Sequence, residues 1–156
     1  MFRFCGSLLV LSIVVASVSS EVINYHVCAD SADDCSIDQV RVTPCPQAAQ
    51  RAACHIHRRR PAQMSFDFTP KFDADNLVAT LGWVKSETVE LPLVTLERDG
   101  CKSATCPVRN GVTNTYTIDV PIEAKFPLSS YTIRWALRDP VSQKRCCFTI
   151  DIKVVR

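Results

Sequence analysis

Apolar and polar residues alternate along much of this chain, most clearly between Tyr116 and Leu137. Tyr116, Ile118 and Val120 form one row; Tyr131, Ile133, Trp135 and Leu137 form a second. A period of two puts successive side chains on opposite faces of a strand, so each row predicts a strand with one buried face. Between the rows lies Pro121-Ile122-Glu123-Ala124-Lys125-Phe126-Pro127, a connection stiffened by prolines at both ends. It carries Ile122 and Phe126, large apolar side chains with no strand partner. Such a loop is either a lid on a core or the mouth of a cavity.

The rest of the chain reads in the same way. Glu21 to Val27 predicts a first edge strand, and Cys28 to Cys35 a polar loop. Ile37 to Thr43 alternates weakly and ends at Pro44-Cys45-Pro46, because proline cannot continue a central ladder. Gln47 to Ala53 is a short connection with room for one helical turn. Cys54 to Arg60 reads as a basic knot closed by Pro61. Met64, Phe66 and Phe68 alternate with Ser65, Asp67 and Thr69, a strand. Leu77 to Trp83 is apolar on both faces, with Leu77, Ala79, Leu81 and Trp83 as its larger row. Val89, Leu91 and Leu93 alternate around Pro92, which argues for an edge position. Turns are expected at Glu97–Gly100, at Asn110-Gly111 and at Asp139-Pro140. In the last strand Phe148, Ile150, Ile152 and Val154 alternate with Thr149, Asp151 and Lys153. These elements amount to about seven or eight short strands with no long helix, an all-β sandwich or barrel. An immunoglobulin-like β-sandwich is the architecture expected, although the antibody-type Cys–Trp–Cys spacing is absent.

The chain has 156 residues and nine cysteines. Residues 1–20 have a short basic start, an apolar run from Leu8 to Val15 and small residues up to Ser20. That pattern predicts a secretory signal peptide, with one mature domain at 21–156. The run is too short for a membrane-spanning helix. Cys5 would leave with the signal. The remaining eight cysteines read as a disulfide framework in an exported chain. Proximity predicts Cys45–Cys54 and Cys101–Cys106. Cys146 and Cys147 have opposite strand parities, so one pairs with Cys28 and the other with Cys35. Either arrangement closes a loop of more than a hundred residues, stabilising by about 4–5 kcal/mol in the chain-entropy model. The formal net charge is +2, which gives no sign of a nucleic-acid partner.

Chemistry-bearing patterns are sparse. There is no G-x-S-x-G motif, and His26, His55 and His57 stand near no serine or cysteine and acid in a recognised order. Non-enzymatic function is expected, without a cofactor. Cys54, His55 and His57 could seed a metal site, but thiols oxidise on export and no second ligand pair has zinc spacing; no metal is expected. Arg58-Arg59-Arg60 could read a sulfated sugar or lipid phosphate, though a solvated turn accounts for so short a cluster. The aromatic set Phe66, Phe68, Trp83, Tyr116, Tyr131, Trp135 and Phe148 has inward parity throughout. Parity alone fits a solid core as well as a cavity. The apolar loops Leu91-Pro92-Leu93 and Ile122 with Phe126-Pro127 favour the cavity, since loops capping a packed sandwich are usually polar.

Several motifs together resemble the NPC2 family, whose members share the MD-2-related lipid-recognition (ML) domain. They are Val40-Arg-Val42-Thr-Pro44-Cys45-Pro46, Asp99-Gly100-Cys101-Lys102-Ser103 through Cys106-Pro107-Val108, Val120-Pro121-Ile122, Phe126-Pro127, Arg134-Trp135-Ala136-Leu137 and Cys147-Phe148. The doubled Cys146-Cys147 and the extra Cys35 look like arthropod members. The resemblance implies two sheets that part to hold a sterol, a fatty acid or another lipid, which is transferred without covalent chemistry. It implies the pairs Cys28–Cys147 and Cys35–Cys146. It places Leu93, Ile122 and Phe126 at the entrance, flanked by Pro121 and Pro127, and Phe66, Tyr116, Tyr131, Trp135 and Phe148 along the pocket walls. Sterol carriers of the family have an aromatic residue where this chain has Leu93 and a tyrosine where it has Phe126. The entrance is accordingly more apolar or roomier, and the cargo need not be cholesterol. A monomer is expected, with a membrane or receptor as acceptor. Asn24, Asn76, Asn110 and Asn114 begin no N-x-[ST] sequon, which favours extracellular fluid over the lysosome. Two other roles fit the same pocket: innate-immune recognition of a microbial lipid such as lipopolysaccharide, and carriage of a semiochemical.

Overall fold

The computed structural model describes residues 21–86, 89–92 and 96–156. The expected signal segment and Leu93 lie outside the described residues. In chain order the strands are β1 (Glu21–Val22), β2 (His26–Val27), β3 (Cys35–Thr43), β4 (Cys54–His57) and β5 (Pro61–Pro70). They continue with β6 (Val78–Ser86), β7 (Val89–Pro92), β8 (Asn114–Pro121), β9 (Ser130–Arg138) and β10 (Arg145–Val155). Short 3-10 turns at Ala29–Ser31, Pro46–Gln50 and Gly100–Lys102 interrupt the connections.

Two sheets stack face to face. One has the order β1-β3-β5-β8; the other runs β2-β10-β9-β6-β7, with β4 lying parallel to the end of β10. The two strands of the strongest alternation, β8 and β9, belong to different sheets, and the proline-bounded connection crosses between them. β7 is an edge strand, as Pro92 requires.

Three elements differ from the sequence reading, each for a tertiary reason. Glu21 to Val27 is not one strand: Val22 pairs with Arg41 in one sheet, and Val27 pairs with Phe148 in the other. Between them Ile23 is buried and the Tyr25 hydroxyl donates to the Ile37 carbonyl at 2.7 Å, so the segment changes sheets. The knot at Cys54 to Arg60 begins as strand β4, because the edge of β10 offers pairing from Ile152 to Val155. The weak alternation of β3 comes from a register shift between Ile37 and Gln39, which brings both Ile37 and Val40 to the core. Short pieces such as β1, β2 and β4 raise the strand total above the seven or eight expected.

All eight cysteines from Cys28 onward are paired: Cys28–Cys147, Cys35–Cys146, Cys45–Cys54 and Cys101–Cys106. Cys146, with inward parity, joins β10 to β3 of the opposite sheet. Cys147, with outward parity, reaches Cys28 just beyond β2 and is covered there with Ala136. Cys54 is consequently not free to bind a metal beside His55 and His57.

Candidate functional site

Inward-facing side chains change size along the sandwich. On β5 the inward row is Ala62, Met64, Phe66, Phe68; on β8 it runs Val120, Ile118, Tyr116; on β10 it runs Val154, Ile152, Ile150, Phe148. The bulky ends meet. Phe66 stacks on Tyr116 at 5.1 Å between ring centroids and contacts Phe148 edge-on at 4.8 Å; Tyr116 meets Trp135 at 5.7 Å. Offset and edge-to-face pairs of this kind add to the burial of each ring. Phe66, Tyr116, Trp135 and Phe148 are almost completely buried.

The small ends do not meet. They leave a cavity of about 280 Å³ between the sheets. Val42, Ala62, Met64 and Val120 form the wall from one sheet; Leu81, Ile133, Ile150, Ile152 and Val154 form the other. Ile56 of β4 closes one side, and Trp135 separates the cavity from the aromatic block. Among the described residues no charged side chain lines it, and Gln63 supplies the one amide.

Exposure locates the mouth. Trp135, Ile133 and Ile150 are buried, Ile122, Phe126 and Leu96 are partly exposed, and Leu91 is open to solvent. The loop from Ile122 to Pro127 forms one lip; Leu91 on β7 and Leu96 form the other. Two wall aromatics, Trp83 and Tyr131, pack edge-on at 5.1 Å. The Tyr131 hydroxyl donates to the Pro127 carbonyl at 2.9 Å, and burial pushes this phenol's pKa up, keeping the donor protonated. Its hydroxyl is engaged with the loop. The Trp135 Nε1 and Tyr116 hydroxyl are buried without hydrogen bonds of ordinary geometry. Burial raises the Tyr116 pKa, offset in part by the nearby Ser103 hydroxyl. The cavity therefore presents hydrocarbon and ring surfaces, chemistry suited to holding an apolar molecule.

The second lip depends on a glycine. A Cβ at Gly82 of β6 would collide with the Glu90 carboxylate. Its absence lets Glu90 of β7 reach over β6 to Arg134 of β9, at 2.9 Å. Exposed pairs of this sort contribute about 0.2–1 kcal/mol, a modest tether for the strand that carries Leu91.

Of the residues that the sequence assigned to lipid, Pro121, Ile122, Phe126, Pro127, Tyr131 and Trp135 line the cavity. Phe66, Tyr116 and Phe148 do not; they fill the block behind Trp135. Strand parity tells which side chains point inward, but not how far apart the sheets stand at that level. Ile56, Ala62, Met64, Leu81, Ile133, Ile150 and Val154 line the cavity without having been singled out. Their signal was their modest size on rows that elsewhere carry aromatics.

Comparison with known proteins identifies a family. A family model described as the ML domain matches residues 22–154. An MD-2-related lipid-recognition protein of Manduca sexta is 29% identical over 150 residues, covering 94% of this chain and 95% of that protein. The NPC intracellular cholesterol transporter 2 of Bos taurus is 30% identical over 120 residues, 76% of each chain. The crystal structure of a Niemann-Pick type C2 protein from Japanese carpenter ant superposes with a TM-score of 0.69 at 23% identity, covering 78% of this chain and 93% of that one. With both the matched family model and the shared two-sheet fold, this chain belongs to the ML-domain family of lipid-binding proteins.

Proposed function

We propose that the protein is a secreted carrier that holds a sterol, a fatty acid or another hydrophobic lipid between its sheets and transfers it without covalent chemistry. The observation that carries this reading is the cavity of about 280 Å³, lined by aliphatic and aromatic side chains and open at one end. Binding is driven by removing ligand hydrocarbon from water, at roughly 25 cal/mol per Å² of apolar surface. The volume lies just below the roughly 300–1,000 Å³ of ordinary ligand pockets. A single acyl chain needs little displacement of the walls, whereas a fused-ring sterol requires the sheets to move apart. The four disulfides support an oxidising, extracellular setting.

Recognition of a microbial glycolipid has less support at the mouth. Lys125 is paired with Glu123 at 2.8 Å, and Arg58 is bonded to loop carbonyls, so two of the cations suited to a phosphate are engaged. Native mass spectrometry of the mature chain against sterols, fatty acids and lipopolysaccharide tests the proposal. A one-to-one sterol or fatty-acid adduct supports the carrier. Salt-sensitive binding of lipopolysaccharide alone favours recognition. No adduct from a folded protein defeats both.

A further inference from the structure

The lip from Ile122 to Pro127 pairs with no strand, yet its carbonyls are held at alternate residues by one neighbouring turn. The turn follows β4, and Arg59 within it takes a left-handed conformation, φ 64°. The Arg59 N–H donates to the Ile122 carbonyl at 2.7 Å. The Arg58 guanidinium, through Nη1, donates to the carbonyls of Ala124 at 2.9 Å and Phe126 at 3.4 Å. At the loop's end, the Tyr131 hydroxyl holds the next carbonyl, that of Pro127. The loop is thus suspended between a cation and a phenol, with its apolar side chains turned to the cavity.

We infer that Arg58 is the positioning residue of the mouth: it clasps the loop carrying Ile122 and Phe126 and so sets the rate at which cargo enters and leaves. This rests on the carrier reading above. Arg58 does not line the cavity, so it acts through the loop and not on the cargo. Lipid passing between Phe126 and Leu91 must push this lip aside, which breaks the guanidinium–carbonyl bonds. Those bonds re-form once the cargo is in, so they govern the barrier more than the affinity. A planar, forked guanidinium can serve two carbonyls at once; an ammonium is a point donor and holds the loop less rigidly. Lys125, on the loop itself, is tied to Glu123 and offers no substitute.

The test compares wild type, Arg58→Ala and Arg58→Lys as the mature chain, with Tyr131→Phe removing the other anchor. Hydrogen–deuterium exchange of the lipid-free proteins reads the loop directly. Stopped-flow fluorescence with cis-parinaric acid reads association and release. For a half-exposed, charge-assisted bond, loop exchange and both rates should rise about fivefold in Arg58→Ala, with Arg58→Lys between it and wild type. Kd should stay within about twofold and exchange in β9 should not change. Tyr131→Phe should move in the same direction. Unaltered loop exchange and rates, in variants that still bind the probe, overturn the clasp and leave the carrier reading intact. If cis-parinaric acid, and a fluorescent sterol used in its place, bind none of the proteins, the carrier reading falls and the gate with it.

Discussion

Ala62 and Phe66 sit on one strand and one face, four residues apart, and meet different surroundings. Phe66 is enclosed by Phe68, Tyr116, Trp135 and Phe148. Ala62 faces a hollow. The same contrast separates Phe148 from Val154 on β10 and Tyr116 from Val120 on β8. One half of the sandwich is packed to the density that gives a fold its stability, and the other is left unfilled. The packed half anchors the strands whose far ends enclose the hollow. On the carrier reading, stability and binding fall to different side chains on the same strands.

Substitutions can break that contrast. The largest effect is expected from Phe66→Ala, which opens a void in the aromatic block and should cost about 3–5 kcal/mol. Urea unfolding would show a lower midpoint at unchanged slope, and lipid binding would fall with the fold. A loss below about 1 kcal/mol would mean that the block is loosely packed. Next come two identical enlargements. Val40→Phe, at a fully buried site in the packed half, should cost about 1–3 kcal/mol through overpacking. Val120→Phe, on the cavity wall, should cost less than about 1 kcal/mol while obstructing cargo. Equal costs would erase the distinction between halves. Smaller in stability is Ile122→Asp, because the side chain is partly exposed; the melting temperature should hardly change. A carboxylate at the lip should nevertheless weaken lipid affinity about a hundredfold, as titration with a fluorescent fatty acid would show. Phe126→Asp should behave alike, and unfolding of both variants would assign these residues to the core.

The smallest effect is that of acid. The Arg41 guanidinium, with the Thr115 hydroxyl, holds Asp67 below the usual carboxylate range. The hydroxyl and amide of Ser142 do the same for Asp139. A carboxyl that is more acidic folded than unfolded stabilises fully above its unfolded pKa, about 4, and loses that contribution as pH falls through the folded value. Unfolding midpoints should be level above about pH 5 and decline below about pH 4, less steeply in Asp139→Asn. Asp67 lies behind the packed half, opposite Thr115, and Asp139 follows β9 at that same end. Acid should therefore loosen the closed half while the apolar walls, which carry no ionisable carboxylate, titrate not at all.

Much of this was legible from alternation alone. β5, β6, β8, β9 and β10 follow their rows of inward residues, and Pro44 and Pro92 mark a strand end and an edge. β4 was not legible, since CHIH is too short to show a period and becomes a strand only beside β10. The hollow was half legible: apolar loop residues pointed to a mouth, but the depth of the cavity depends on sheet separation, which no single strand encodes. The role of Arg58 was hidden altogether. Its partners are 66 and 68 residues away, and three consecutive arginines in a sequence look the same whether they are solvated or bonded.

The disulfides also decide where two plates can separate. Cys35–Cys146 pins β3 to β10 at the aromatic end, and Cys45–Cys54 ties the end of β3 to β4 along one long side. The corner remote from both is where β7 and the end of β8 lie. On β8, Pro121 at the far end follows Asn114, opposite Phe68, by seven residues, which at about 3.3 Å per residue is a lever of about 23 Å. A splay of about 5° around the pinned end then widens the far end by about 2 Å, while the aromatic rings next to the pivot barely move. Space would be gained as a wedge, greatest at the unpinned corner, so on the carrier reading the pinned sandwich admits cargo of different girths without unpacking the rings that hold it folded.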